Sequence, residues 1–301
     1  MTRLRAWLEL TRGANLPTVW SNLLVGWLLA VASGATLDGG SFPTLGAALL
    51  GATLLYTAGM LLNDAADASW DRDHRPDRPI PSGRLPHRTV AVAGAALLLL
   101  GAAAFLCVTP GALAAALVLA AIILAYTRWH KSRPALAPWL MGACRALLPL
   151  IGFATAGGGL GGAGKGLLVA HAGALALATA GITLLARHEA TGGRPGRAAA
   201  AVAWIAPLPI PVYLLATGTV SWPVLIGTAG LGLGLSWTAT RIADIGARVA
   251  TRIAGLALLD YLLWLAIRPA FDRADPLSQG GLMLLLFFGT ALALRRLLPS
   301  T

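Results

Sequence analysis

The sequence predicts an all-α integral membrane protein, and three observations carry that prediction. Hydrophobic residues make up 57% of the 301-residue chain and charged residues only 12%, with a mean hydropathy of +0.73. A soluble domain devotes about 25% of its residues to charge, so this chain lacks the polar residues to face water all round. The apolar residues are also gathered into runs of about 20, the length a helix needs to cross the hydrocarbon core. Finally, Lys and Arg are segregated between alternate loops, as in a chain threaded through a bilayer.

Ten runs qualify, at 16–33, 44–63, 88–108, 111–127, 136–155, 166–186, 198–216, 220–238, 246–267 and 280–298; a bundle of nine to ten transmembrane helices is expected. These spans put 19 of the 23 basic residues on one side. Lys165, Arg268 and Arg273 lie on the other, and Arg145 falls inside a span. The basic side, with both termini, is expected to be cytoplasmic, and the chain to be a multi-pass protein of the cell membrane. Topology thus accounts for the net charge of +11 without a nucleic-acid partner; the partner is the lipid bilayer. Residues 1–301 read as one polytopic domain. The outer loops (33–42, 109–110, 157–164, 217–219 and 268–279) are too short to hold another, and polar chemistry collects in cytoplasmic loops 63–88, 127–135 and 187–197. Arg3, Arg5 and the small residues Ala30-Val31-Ala32 imitate a signal peptide. Glu9 and Arg12 interrupt it and further spans follow, so an uncleaved first helix is expected. Cys107 and Cys144, each in an apolar run, read as small buried hydrophobes.

Five of the twelve acidic residues, Asp64, Asp67, Asp71, Asp73 and Asp77, fall within fourteen positions after the second span. At helical spacing Asn63, Asp67 and Asp71 stack one turn apart, and with Asp64 they fit an arc of about 100°. Such stacked like charges repel and call for compensation. Mg²⁺ would supply it, because it takes carboxylate oxygens and completes its shell with water and substrate phosphates. The arginines that follow would supply it too, on a solvated acidic helix end, and spacing does not decide between the two. The segment Arg75-Pro76-Asp77-Arg78-Pro79-Ile80-Pro81-Ser82-Gly83-Arg84 is a shaped loop, since its prolines remove helix donors. Arginines beside carboxylates suit a diphosphate, with metal on one side and guanidinium groups on the other.

The run Asn63-Asp64-x-x-Asp67-x-x-x-Asp71, followed by Arg78-Pro79-Ile80-Pro81-Ser82-Gly83, resembles the first aspartate-rich motif of the UbiA prenyltransferase superfamily. The resemblance covers most of the chain: Tyr126 to Lys131 match in placement, and Gly142-Ala143-Cys144-Arg145 resembles a subfamily segment. It implies a helical bundle around a central cavity and a membrane transferase that uses Mg²⁺ to pass a prenyl group from an isoprenoid diphosphate to an acceptor the sequence does not identify. Asp67 and Asp71, with Asn63 and Glu189, would hold the metal, and Asp64 would assist or orient the site. Arg78, Arg84, Lys131 and Arg145 would neutralise the leaving group as its charge develops, with Tyr126 also in the substrate site. The apolar span faces would enclose the prenyl chain and keep water from the allylic cation.

Two departures accompany the resemblance. The superfamily carries a second D-x-x-x-D at the end of the sixth span, where this chain reads Arg187-His188-Glu189-Ala190-Thr191-Gly192-Gly193. Glu189 stands in the place of the first aspartate and Gly193 in that of the second, a form that resembles the EboC-like branch. The tenth span also exceeds the usual nine.

Several polar residues lie inside spans. Arg145 at bilayer depth calls for a cavity or a partner, either a diphosphate or another buried acid. Asp260 could partner Arg145, bind an acceptor or relay a proton. Asn15 and Asn22 suit interhelical hydrogen bonds or a substrate contact. Of the histidines, His74, His87, His130 and His188 show no metal-ligand spacing and none is chosen as a base; His171 reads as a satisfied polar residue of its helix. The run Gly159-Leu160-Gly161-Gly162-Ala163-Gly164-Lys165-Gly166 misses a P-loop, with Gly166 where Ser or Thr would hold Mg²⁺. A rival function is a transporter or a non-catalytic lipid-binding protein with a degenerate site of this type. A CDP-alcohol phosphotransferase would need a D-G-x-x-A-R start, which Asn63-Asp64-Ala65-Ala66-Asp67 does not supply.

Overall fold

The computed structural model describes residues 3–158, 164–190, 201–202, 205–219, 221–241 and 245–297. Every regular element among them is helical: α1 Arg3–Thr11, α2 Leu16–Ala32, α3 Ser41–His74, α4 His87–Ala104, α5 Pro110–Trp129, α6 Ala137–Thr155, α7 Lys165–Ala190, α8 Pro209–Ala216, α9 Trp222–Arg241, α10 Ile245–Ile267 and α11 Gly280–Leu297. Seven stretches among the described residues are long and apolar enough to cross a membrane, and they match the first six and the last of the expected spans. Helices α9 and α10, of 20 and 23 residues, have the length as well. The expected span at 198–216 lies partly outside the described residues, as do loop positions 159–163 and 191–197, so the count of nine to ten is approximate while the all-helical membrane bundle is the fold.

Helix α2 is the central post. Nearly every residue from Pro17 to Ala30 is buried, and α2 packs on α3, α6, α10 and α11. Its approach to α6 is set by glycine. A Cβ at Gly26 would overlap the carbonyl of Pro149, and one at Gly152 would overlap the carbonyl of Leu23. Small residues at such crossings let backbones touch where lipid provides no hydrophobic drive. Gly26 lies one turn beyond Asn22, and Pro149 one turn beyond Arg145. The same parallel register that seats Gly26 on Pro149 therefore brings Asn22 beside Arg145. Pro149 also has no N–H for the Arg145 carbonyl, which removes one helical hydrogen bond at that level.

Two features aim the polar residues. Helix α3 runs 34 residues, about 51 Å at the helical rise, against a hydrocarbon core of about 30 Å. The surplus turns carry Asp64 to Asp73 beyond the predicted span end at Asn63 as continuous helix. Between α1 and α2 the chain turns at Arg12, whose φ of 45° makes it the one non-glycine with positive φ among the described residues. The outside of the bundle is apolar: Leu99, Leu106 and Ile226 are each at least 70% exposed, a surface suited to lipid rather than water. Cys107 shares that surface and is exposed. It was expected to be buried; an apolar run in a bilayer need not face the core, because lipid accepts it equally well. Cys144 is half-buried.

Candidate active site

Asn63, Asp64, Asp67 and Asp71 are all buried at the end of α3, and each carboxylate meets a cation. Asp64 Oδ1 accepts from Arg12 at 3.1 Å and from Arg78 at 3.4 Å. Arg78 also donates to Asp71 Oδ2 at 3.0 Å. Asp67 Oδ1 lies 2.7 Å from Lys131 Nζ and 2.9 Å from His130 Nε2. The α3 end is thereby bound to the α1–α2 corner, to its own following loop and to the end of α5. Lys131 also lies over the Trp70 ring at 4.8 Å, and Tyr126 stacks on His130 with ring centres 5.0 Å apart. The hydrogen bond to Asp67 raises the His130 pKa above the ordinary histidine value, against the opposing effects of burial and Lys131.

Asn63 donates to Asp67 Oδ2 at 3.3 Å, while its Oδ1 is buried with no hydrogen-bond partner among the described residues. An orphaned amide oxygen beside carboxylates is the donor chemistry a hard divalent cation takes. The set is not assembled as a metal centre, however. Among the described residues no three His, Cys, Asp or Glu side chains form a group that could hold a metal ion, because Asp71 turns to Arg78 and Asp67 to Lys131. Glu189 lies on the last turn of α7, but its side chain, like Gly193, lies outside the described residues.

Behind the acidic end is a cavity of about 290 Å³ lined by α2, α3, α5, α6, α7 and α10. Arg12, Asn63 and Tyr126 stand among its lining residues, and Val19, Ala52, Leu119, Leu148 and Leu256 give it apolar walls. Arg145 also lines it, donating to Asn22 Oδ1 at 3.0 Å. Asn22 Nδ2 in turn donates to Asp260 Oδ2 at 2.7 Å. Asp260, fully buried, also accepts from Ser21 Oγ at 2.5 Å and pairs with His171 Nε2 at 3.0 Å.

Of the residues singled out from the sequence, the structure gathers Asn63, Asp64, Asp67, Asp71, Arg78 and Lys131 at the mouth, with Tyr126 beside them. It places Arg145 on Asn22, with Asp260 one residue further along the chain of hydrogen bonds. Arg84 is held elsewhere: it pairs with Glu9 at 2.8 Å and so ties the loop to α1. Two members of the cluster, Arg12 and His130, are not marked by the sequence: the first reads as a topology charge and the second lacks metal-ligand spacing. For His130 a signal was present, since Tyr126 and His130 are one helical turn apart beside Lys131. His171 finds its partner on another helix rather than on its own: Nε2 meets Asp260, while Nδ1 is buried with no hydrogen-bond partner among the described residues, so the histidine is half satisfied.

Residues 19–259 match the model of the UbiA prenyltransferase family. Among curated relatives, the chain is 34% identical over 130 residues to digeranylgeranylglyceryl phosphate synthase of Methanoregula boonei, covering 43% of this chain and 44% of that one. It is 39% identical over 127 residues to the synthase of the same name from Halobacterium salinarum, covering 40% and 43%. It is also 31% identical over 162 residues to protoheme IX farnesyltransferase of Alkalihalophilus pseudofirmus, covering 52% of each. The aligned regions thus span about half the length of these relatives or less. Solved structures share the fold throughout. One, from work on digeranylgeranylglyceryl phosphate synthase in membranes, superposes with a TM-score of 0.60 at 19% identity over 97% of this chain and 100% of the other. A UbiA homologue from Archaeoglobus fulgidus bound to GPP and Mg²⁺ does so with a TM-score of 0.51 at 14% identity over 96% and 98%.

Proposed function

The chain belongs to the UbiA prenyltransferase family, and from that premise we propose that it transfers a prenyl group from an isoprenoid diphosphate, with Mg²⁺, to an alcohol on a polar lipid. The observation that carries the reading is the interleaving of carboxylates and cations at the mouth of an apolar cavity. Asp64, Asp67 and Asp71 hold Arg12, Arg78 and Lys131, which is a site ready for exchange of partners. An arriving diphosphate would take the cations, and the released oxygens of Asp67 and Asp71, joined by the unpartnered Asn63 Oδ1 and with Glu189 as a further candidate, would hold the metal. Mg²⁺ so bound would neutralise the diphosphate as it leaves.

This chain's own residues would do the rest. Arg12, Arg78 and Lys131 would receive negative charge as it develops on the leaving group, where preorganised electrostatics gains most. Asp64, held between Arg12 and Arg78, would fix where those two guanidinium groups stand. Tyr126, stacked on His130, would border the reacting end of the prenyl chain, and the walls at Val19, Ala52, Leu119 and Leu148 would exclude water from it. The acceptor class follows the synthases named above, whose product is a glyceryl phosphate carrying prenyl groups. The Arg187-x-Glu189-x-x-Gly192-Gly193 form supports the narrower EboC-like assignment, and the one-sided loop charge supports a plasma-membrane protein with cytoplasmic termini and site.

The test is thermal unfolding of the purified chain in detergent with a panel of prenyl diphosphates, with and without Mg²⁺, for wild type and Asp67→Ala. A ligand at about 100 times its Kd stabilises by about 2.7 kcal/mol. A Mg²⁺-dependent shift absent from Asp67→Ala is expected. A folded wild type that responds to no chain length would overturn the proposal.

A further inference from the structure

We propose that the inner end of the cavity is a second polar subsite, separate from the acidic helix end, which binds an uncharged oxygen function of the acceptor through Arg145 and Thr179. Naming that ligand as the acceptor rests on the prenyl-transfer reading; the subsite itself rests on geometry. Asn22, the partner of Arg145, lies two turns along α2 from Asn15 at the mouth, about 10 Å deeper along the helix. The cavity therefore has one cationic pole near Arg12 and another inside the span. A hydrocarbon tail alone would leave the donors of Arg145 beyond the one bonded to Asn22 without partners, and unpaired donors in an apolar setting are costly.

The donors are present. A guanidinium group has five N–H bonds, and among the described residues Arg145 makes one hydrogen bond, to Asn22. Thr179, 6% exposed, also lines the cavity; its Oγ1 is buried and has no hydrogen-bond partner among the described residues. Thr183, one turn further along α7, donates to the Thr179 carbonyl, so its hydroxyl proton is already used. Apolar Leu148, Ile182 and Leu256 line the same cavity.

The preference for an uncharged oxygen comes from Asp260. Asn22 donates to Asp260 with its amide nitrogen and accepts from Arg145 with its amide oxygen, which fixes the amide orientation and links the two charges through one side chain. Asp260 is completed by Ser21 and His171. Because Arg145 is already offset, a second anion would enter the low-dielectric interior without a counter-charge. A hydroxyl or carbonyl oxygen would accept from Arg145 and Thr179 with no net charge added.

The experiment follows thermal unfolding of the full chain in maltoside detergent with hexadecan-1-ol, hexadecanoate or hexadecane, for wild type, Thr179→Val and Arg145→Met. Prenyl diphosphate with Mg²⁺ is run as a separate arm. The alcohol is expected to raise Tm above either other amphiphile or alkane. Thr179→Val, nearly isosteric, is expected to weaken the alcohol on the order of tenfold, the loss of one buried hydrogen bond. Equal shifts from alcohol and alkane, a larger shift from hexadecanoate, or a wild-type response in Thr179→Val would each overturn the proposal. So would loss of the prenyl diphosphate shift in Thr179→Val, which would merge the two subsites. Thr179→Val decides the matter if Arg145→Met fails to fold. An alcohol shift without any prenyl diphosphate shift would sustain the subsite and remove the donor reading instead.

Discussion

Arg12 and Asp64, 52 residues apart in sequence, meet at 3.1 Å across the corner between α1 and α2. The backbone of Arg12 is left-handed, with φ 45° and ψ 44°, and its carbonyl accepts from Tyr56 Oη at 3.2 Å. One residue thus joins a strained turn, an ion pair and the cavity mouth. Arg12→Ala removes the guanidinium and keeps the strain, whereas Arg12→Gly removes the guanidinium and relieves it. Arg12→Gly is expected to be more stable than Arg12→Ala by about 1 kcal/mol, with both weakened in prenyl diphosphate binding. Parallel unfolding and binding measurements check this, and equal stability of the two variants would remove strain from the account.

The crossing of α2 and α6 yields a second expectation. Gly152→Ala forces a methyl group into the Leu23 carbonyl, a backbone contact that no side-chain rotation relieves. It is expected to destabilise by about 1–3 kcal/mol, the usual cost of overpacking, and to disturb Arg145 through the same register. Thermal unfolding reads the first effect. Ala at Gly173, which has open space around it, is the control and should change little.

His130 makes the apo protein sensitive to pH. Its folded pKa lies above the ordinary value of about 6.5. Its contribution to stability is therefore complete below that ordinary value and is lost as pH rises through the folded pKa. In chelator, Tm is expected to fall over that upward range, and His130→Gln is expected to flatten the fall. A wild-type profile in His130→Gln would show that the Asp67 contact does not carry it.

Arg78 and Arg84 share a loop but should part in function. Arg78 contacts Asp64 and Asp71; Arg84 contacts Glu9. Arg78→Ala is expected to lose prenyl diphosphate binding by tenfold or more, roughly 1.4 kcal/mol. Arg84→Ala is expected to lose no more than about 1 kcal/mol of stability, as partly exposed ion pairs do, while still binding. Titration of both variants with one prenyl diphosphate separates the roles.

The bundle was legible because bilayer insertion is decided by local composition, and the acidic helix end because Asn63, Asp64, Asp67 and Asp71 repeat at the helical period. What joins distant parts of the chain was not. Nothing near Arg84 names Glu9, 75 residues away, and nothing near His171 names Asp260, 89 residues away. Arg12 was hidden in plain view, since a basic residue at the start of a span already has a topological explanation. Gly26 and Gly152 look like any small residue in an apolar run until the neighbouring backbone is known. Periodicity reports one helix at a time; a site built from six helices needs their packing.

The continuity of α3 links this chemistry to the host membrane. The apolar turns that must match the lipid and the turns that carry Asn63 to Asp71 belong to one hydrogen-bonded helix with no break between them. A bilayer that grows thicker draws that helix inward or tilts it upright, at a modest cost for each ångström of mismatch, and the acidic turns move with it. Membrane thickness thereby acts as a depth gauge for the carboxylates, setting how far they stand clear of the acyl chains.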